Sequence, residues 1–508
     1  MTAEILQGLQ YSAPVLIIAG LAIAVMLIDA FAPKGRRDFL GWISILGIAA
    51  AMFVSISYWG DTGQPVGRIL FTGLFVVDNF ALFFNVIFGI CAIVTLLLSM
   101  HYLEKHDMAH GEYYPLVLFA LAGMMVMAGS SDMLTLFVGL ETMSISTYAL
   151  VGFKRVSDRS VEGSMKYFLL GALATGILLY GIALIYGATG STGFQAIGKL
   201  ITTNNKLLSD PYLVVGFMLV LVAFAFKIAA VPFHMWAPDA YEGAPTSVTA
   251  FMACAVKAAG FAALIRIFAT VFTAKGLAIG PHGWFKLISV LAVLTMVVGN
   301  LVAIAQKSVK RMLAYSSIGH AGYLLVGLLA TAQLGSAAAS PMLFYLFSYS
   351  FTALGAFGVV LLLEREGRED PLRISDFAGL GQRHPWAAFG MSLFLLSLAG
   401  MPPTAGFFAK FYLFKAGIQA GAAGATMMYS LVVLALLTSA AAAFYYLRVI
   451  VYMYFKDPEG ESSLLRSPAA TLGLVIAAVG VVAIGLMPDP YLQLGEKAMA
   501  SLGLFSGL

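Results

Sequence analysis

"FAFKIAAVPFHMW", residues 224–236, sets Lys227 and Pro232 five residues apart inside a segment that otherwise reads as apolar helix. A charged side chain at the centre of a membrane helix costs at least ~2.5–3.5 kcal/mol, so its presence asks for a reason. The proline adds to the cost, because it removes one amide and clashes with the carbonyl of Ile228, freeing backbone polar groups beside Lys227. Such groups are tolerated at membrane depth only where protein or a water-filled cavity satisfies them. Lysine and break therefore predict the same thing, an interior that contains water.

The surrounding chain is membrane protein throughout. Its 508 residues are 60% hydrophobic and 11% charged, with a mean hydropathy of +0.91, which leaves no room for a soluble catalytic domain. Apolar runs of about 20 residues between polar or Gly/Pro punctuation number fourteen, centred near residues 22, 49, 88, 122, 142, 176, 223, 258, 294, 320, 350, 402, 441 and 476. They lack the ten-residue alternation of a membrane barrel, so the expected fold is an all-α polytopic bundle. The first run has no basic residue before Lys34 and is followed by "PKGRRD", so it is expected to be the first crossing rather than a cleaved leader.

Basic residues crowd the loops after odd-numbered crossings. Seventeen lie there, among them Lys34, Arg36, Arg37, Lys105, Lys154, Lys310, Arg365, Arg368, Lys456 and Arg466, against six on the opposite side, Lys275 included. That excess places the first set in the cytoplasm and both termini outside. The net charge of +4 is spread through short loops rather than gathered in a patch, which argues against a nucleic-acid partner. Cys91 and Cys254 lie in apolar runs without ligands at metal spacing and are expected to be small core residues.

A second break echoes the first. "LAGMPPTAGFFAKFYLF", residues 398–414, again places proline and lysine in an apolar run, and Pro402 follows Pro232 by 170 residues. Five crossings of about 34 residues fill that interval, consistent with repeats covering crossings 4–8 and 9–13. An odd number of crossings per unit makes the two repeats inverted. The expected divisions are residues 1–110 for crossings 1–3, 111–280 and 281–457 for the repeats, and 458–508 for crossing 14 and the tail. The match is imperfect, since Lys227 precedes its proline whereas Lys410 follows Pro402 and Pro403.

Four ionisable residues sit deep in these runs: Glu141 in "LFVGLETMSISTYAL", Lys227, Lys257 in "MACAVKAAGF" and Lys410 in "FFAKFYLF". A Glu141–Lys227 ion pair that merely glues helices explains two of them. It does not explain three lysines against one clear carboxylate; some must be neutral part of the time, and such a lysine can carry a proton. A carboxylate at about 4 Å contributes ~4 kcal/mol at an effective dielectric of about 20, enough to switch a lysine between holding and releasing a proton. His234 and His320 are candidate relays that also fit satisfied core positions. Lys415 and Arg448 are expected to snorkel, and Asp78 and Asp132 to cap helices. "GFQAIGKL", residues 193–200, has the spacing of a phosphate-binding loop but ends in Leu200 and follows no soluble strand. There is no G-x-G-x-x-G element or paired-histidine haem site, so the driving energy is expected in another chain or in an ion gradient.

"FKIAAVPFHMWAPDAYEGAPTSVTAF" with the following "VKAAGF", "QKSVKRMLAYSSIGHAGYLLVG" and "AGMPPTAGFFAKFYLF" together resemble the antiporter-like membrane subunits of respiratory complex I, kin of multi-subunit cation/proton antiporters. "SMKYFLLGALATGILLYGIALIYGATGS" is most similar to the N type, the counterpart of mitochondrial subunit 2. The resemblance covers nearly the whole chain. It implies fourteen helices with breaks in the seventh and twelfth, and a proton path through the carboxylate Glu141, the broken-helix Lys227, the connecting Lys257 and the exit Lys410. It implies no cofactor in this chain, with NADH, FMN, iron–sulfur clusters and quinone in partner subunits, and partners that include antiporter-like paralogues in the lipid bilayer. A bacterial inner (plasma) membrane is the expected location, and the chain's stop after crossing 14 implies no long lateral helix. The rival expectations are a subunit of a sodium/proton antiporter and a passive scaffold of a membrane arm.

Overall fold

The computed structural model describes residues 2–31, 37–60, 67–272, 277–278, 283–364, 372–458 and 464–503. Of the basic residues used to orient the chain, Lys34, Arg36, Lys275, Arg365 and Arg368 lie outside the described residues. Eleven described helices are long and apolar enough to cross a membrane, and three shorter apolar helices, Tyr113–Gly129, Pro211–Lys227 and Pro385–Ala399, complete fourteen crossings. Numbered in chain order, the uninterrupted ones are 1 (Ala13–Phe31), 2 (Asp38–Ser57), 3 (Asn79–Lys105), 4 (Tyr113–Gly129), 5 (Met133–Val151), 6 (Asp158–Thr189), 8 (Thr246–Thr270), 9 (Trp284–Ala305), 10 (Val309–Leu334), 11 (Ser340–Leu363), 13 (Met427–Phe455) and 14 (Pro468–Leu486).

Crossings 7 and 12 are each two pieces. Crossing 7 runs Pro211–Lys227, breaks, and resumes as Trp236–Gly243; crossing 12 runs Pro385–Ala399, breaks, and resumes as Ala405–Ala422. The breaks fall at the prolines read from the sequence, Pro232 and Pro402–Pro403. The two lysines stand differently to their breaks. Lys227 is the last residue of its first half-helix, and Lys410 reaches back from the second half to the end of the first, where its amine bonds the carbonyls of Leu398 and Ala399, each at 2.9 Å. The Lys410 amine thus sits at the carbonyl-rich, partially negative end of a half-helix, whereas the Lys227 amine turns to hydroxyls of crossings 5 and 6.

Crossings 3, 8, 10 and 11 form the interior, and the apolar window of crossing 8 is wholly buried; crossings 1, 2, 13 and 14 form a rim that presents side chains such as Phe53, Leu437 and Val479 outward. Without a hydrophobic force between helices in lipid, contact rests on close packing of small residues. Gly123 of crossing 4 faces Gly139 of crossing 5 so closely that an added Cβ would lie 2.6 Å from the Gly139 carbonyl; Gly299 of crossing 9 meets Gly319 of crossing 10 in the same way, at 2.6 Å from its amide. Outside the crossings, a short antiparallel hairpin pairs β1 (Arg68–Leu70) with β2 (Phe75–Val77). Phe194–Thr203, where the phosphate-loop spacing fell, is an amphipathic helix burying Phe194, Ile197, Gly198 and Ile201 on one face. Cys91 and Cys254 are free and buried.

Candidate functional site

The break in crossing 7 leaves backbone groups that protein side chains take up. The Val231 amide donates to Thr295 Oγ1 at 3.0 Å, and the Phe226 carbonyl accepts from Trp236 Nε1 at 3.0 Å. The Trp236 ring stacks on Tyr167 with centroids 4.2 Å apart, fixing the second half-helix against crossing 6. Lys227 is buried beneath this stack. Its amine donates to Ser144 Oγ at 2.8 Å and Tyr167 Oη at 3.3 Å, and lies 5.9 Å from the Tyr148 ring centre.

Glu141 is one turn before Ser144 on crossing 5 and is half-buried rather than deep. Its Oε1 accepts from Thr175 Oγ1 of crossing 6 at 2.7 Å. No ion pair joins Glu141 to Lys227 among the described residues, so the glued pair weighed from sequence is replaced by a hydroxyl, Ser144, next to the amine. Ser144 itself donates to the Leu140 carbonyl.

Lys257 follows a π-helical turn, Met252–Val256, in the middle of crossing 8. Such wide turns cluster at functional positions because they re-aim the side chains that follow. The Lys257 amine donates to both the carbonyl and the hydroxyl of Ser317 on crossing 10. Three residues further along crossing 8, a Cβ added at Gly260 would lie 3.7 Å from Lys227 Cγ, so the helix that carries Lys257 also flanks the Lys227 stem.

Crossing 10 continues the series. His320, buried, has Nδ1 at 2.5 Å from Tyr345 Oη and Nε2 at 3.2 Å from Tyr446 Oη, which in turn bonds Ser316. Tyr323 accepts from Asn300 Nδ2 at 3.0 Å, and its ring centre is 5.6 Å from the Lys410 amine. Lys410 completes its three acceptors with Ser439 Oγ at 2.8 Å, and Gly400 leaves room for its stem, since an added Cβ there would lie 2.9 Å from Lys410 Cδ. Lys227, Lys257 and Lys410 thus share one arrangement: buried amines held by hydroxyls and carbonyls, with no carboxylate within ion-pair distance among the described residues.

The other sequence readings divide. Asp132 caps crossing 5 through the amides of Leu134 and Thr135. Asp78 caps crossing 3 through the Ala81 amide, and it does more: both its oxygens accept from Arg266 of crossing 8 at 2.8 Å, with the two side chains 0% and 2% exposed. Arg448 is half-buried and donates to the Ile304 and Gln306 carbonyls at the end of crossing 9, while Lys415 is exposed. Lys310, counted among the loops, is buried, donating to the Ala244 carbonyl at 2.7 Å and lying 3.8 Å from Glu364. His234 is half-buried beside Tyr315, with ring centroids 6.4 Å apart, and no hydrogen bond links it to Lys227. No cluster of metal-ligating side chains occurs among the described residues.

The family model described as "NADH:quinone oxidoreductase/Mrp antiporter, TM" matches residues 130–464, and the chain belongs to that family. A curated relative 46% identical over 487 residues, 96% of each chain, is NADH-quinone oxidoreductase subunit N of Trichlorobacter lovleyi. A chain of respiratory complex I from Thermus thermophilus with bound aureothin superposes with a TM-score of 0.76 at 34% identity, covering 94% of this chain and 98% of that one. A chain of the Mrp complex from Dietzia shares the fold at a TM-score of 0.82, covering 97% of both chains, but only 23% of the sequence.

Proposed function

We propose that this chain is a proton-translocating membrane-arm subunit of an NADH:quinone oxidoreductase, driven by quinone reduction in partner subunits. The observation that carries the reading is the file of three buried amines, Lys227, Lys257 and Lys410, each held by neutral acceptors. A lysine fixed by an adjacent carboxylate is locked in its charged form, whereas one held by hydroxyls and carbonyls can gain and lose its proton. In this reading Glu141, held by Thr175, biases Lys227; the proton passes to Lys257, crosses by way of Ser317 and His320, and leaves from Lys410. His234, away from this file, has no assigned step. The full-length identity to a subunit N favours this reading over an antiporter subunit, to which the likeness is one of fold.

The two five-helix units are part of the proposal. The paired glycine contacts of crossings 4–5 and 9–10 support it: Glu141 lies two residues after Gly139, and His320 one residue after Gly319, so the units carry titratable side chains at neighbouring depths. The chain would lie in a bacterial inner membrane with both termini outside, beside antiporter-like paralogues. NADH, FMN, iron–sulfur clusters and quinone would be held by partners.

The test is Lys227→Met in the assembled complex, reading NADH-driven acidification of inverted vesicles beside NADH oxidation. Normal assembly with acidification reduced several-fold is expected, unchanged when potassium replaces sodium. Full pumping by the variant would leave only a scaffold, and a requirement for sodium would favour an antiporter.

A further inference from the structure

A groove of about 1100 Å³ opens on the flank of the molecule, between the ends of crossings 11, 12 and 14 that meet the basic loops. Its walls are apolar, with Leu362 from crossing 11, Phe389 and Leu393 from crossing 12, and Val475 from crossing 14. Its mouth is different, lined by His384, Trp386 and Arg466. Trp386 and Phe389 are 85% and 60% exposed, a large apolar surface for the chain to leave open.

Depth identifies the occupant. Along crossing 14 the lining runs from Pro468 to Ala478, ten steps and so about 15 Å at 1.5 Å each. That is about half of a ~30 Å hydrocarbon core, or one leaflet. A neighbouring transmembrane helix would need a groove through the full thickness. A tryptophan at the rim is the usual marker of headgroup level. Arg466 is exposed and has no ion-pair partner among the described residues, and the positive ends of crossings 12 and 14, which begin at Pro385 and Pro468, open at the same mouth.

We propose that this groove binds an anionic phospholipid of the leaflet on the basic-loop side, an acyl chain lying on Phe389, Leu393 and Val475 and the phosphate at Arg466. Basic pockets between helices on that face recognise anionic headgroups by this charge match. The groove is lined by none of Lys227, Lys257 and Lys410.

The test uses the intact membrane complex, re-equilibrated in mixed micelles with phosphatidylglycerol or phosphatidylcholine, with retained lipid counted by mass spectrometry. Gly390→Trp fills the groove, since the nearest atoms to an added Cβ are 3.9 Å away. Wild type is expected to retain one phosphatidylglycerol more per complex than Gly390→Trp. Arg466→Gln, a surface change that leaves packing intact, should weaken phosphatidylglycerol retention about fivefold and leave phosphatidylcholine unchanged. Equal retention of phosphatidylglycerol by wild type and Arg466→Gln, or equal retention of the two lipids by wild type, overturns the proposal. So does a photocrosslinker at position 389 that captures a partner subunit's peptide instead of lipid.

Discussion

Ser317 shows how much a single hydroxyl carries at a buried amine. It offers Lys257 both its Oγ and its carbonyl, and Ser317→Ala removes only the former. A hydrogen bond to a charged group is worth about 1.5–3 kcal/mol, so the charged form of Lys257 would be disfavoured by about tenfold or more. NADH-driven acidification by Ser317→Ala vesicles is expected to fall while electron transfer and assembly persist, and Ser317→Thr is expected to restore it. The sequence made the lysines legible because an ammonium in an apolar run has a cost that demands a cause. Ser144, Ser317 and Ser439 gave no such sign. Serine in a membrane helix commonly bonds its own preceding turn, as Ser144 does with Leu140, and nothing local marks the few that also reach an amine. Glu141 was legible as a buried acid, yet its burial is partial and its hydrogen-bond partner, Thr175, stands on another helix.

At the level of single helices, proline fixed where crossings 7 and 12 divide, and the sequence therefore gave away the breaks. The Asp78–Arg266 pair was hidden because its members are 188 residues apart and Asp78 already had a local explanation as a helix cap. It ties crossing 8 to the start of crossing 3, and Arg266 Nε also bonds the Ala128 carbonyl at the end of crossing 4. Removing one partner of a buried pair costs about 3–5 kcal/mol, because the other is left uncompensated. Asp78→Asn should therefore lower the amount of this chain found in the native complex, as read on blue-native gels, and the double replacement Asp78→Leu with Arg266→Met should recover much of it. The π turn at Met252–Val256 was invisible too, since no residue type encodes it. Deleting Ala253 would remove the extra residue that the wide turn accommodates and so withdraw its local re-aiming of Lys257. The expected result is an assembled complex that oxidises NADH but acidifies vesicles poorly, with Lys257 turned from Ser317.

Across the whole molecule, the fourteen crossings were readable from apolar run length, whereas the proposed route between the two broken helices was not, because it depends on which faces meet. Crossing 10 is where they meet. Ser317 touches Lys257, His320 stands midway, and Tyr323 lies beside Lys410, three positions three residues apart that wind around one rod. Losses from Lys257→Met and Lys410→Met should then fail to add: the double variant is expected to pump little worse than the poorer single one, measured as protons per NADH. A camshaft works in this manner, with several followers on one bar, so that any turn of the bar retimes them together. If protons follow the proposed route, whatever tilts residues 309–334 by a few degrees, whether a neighbour's push or a bulky substitution far from either amine, would advance one transfer and delay the other by the same stroke.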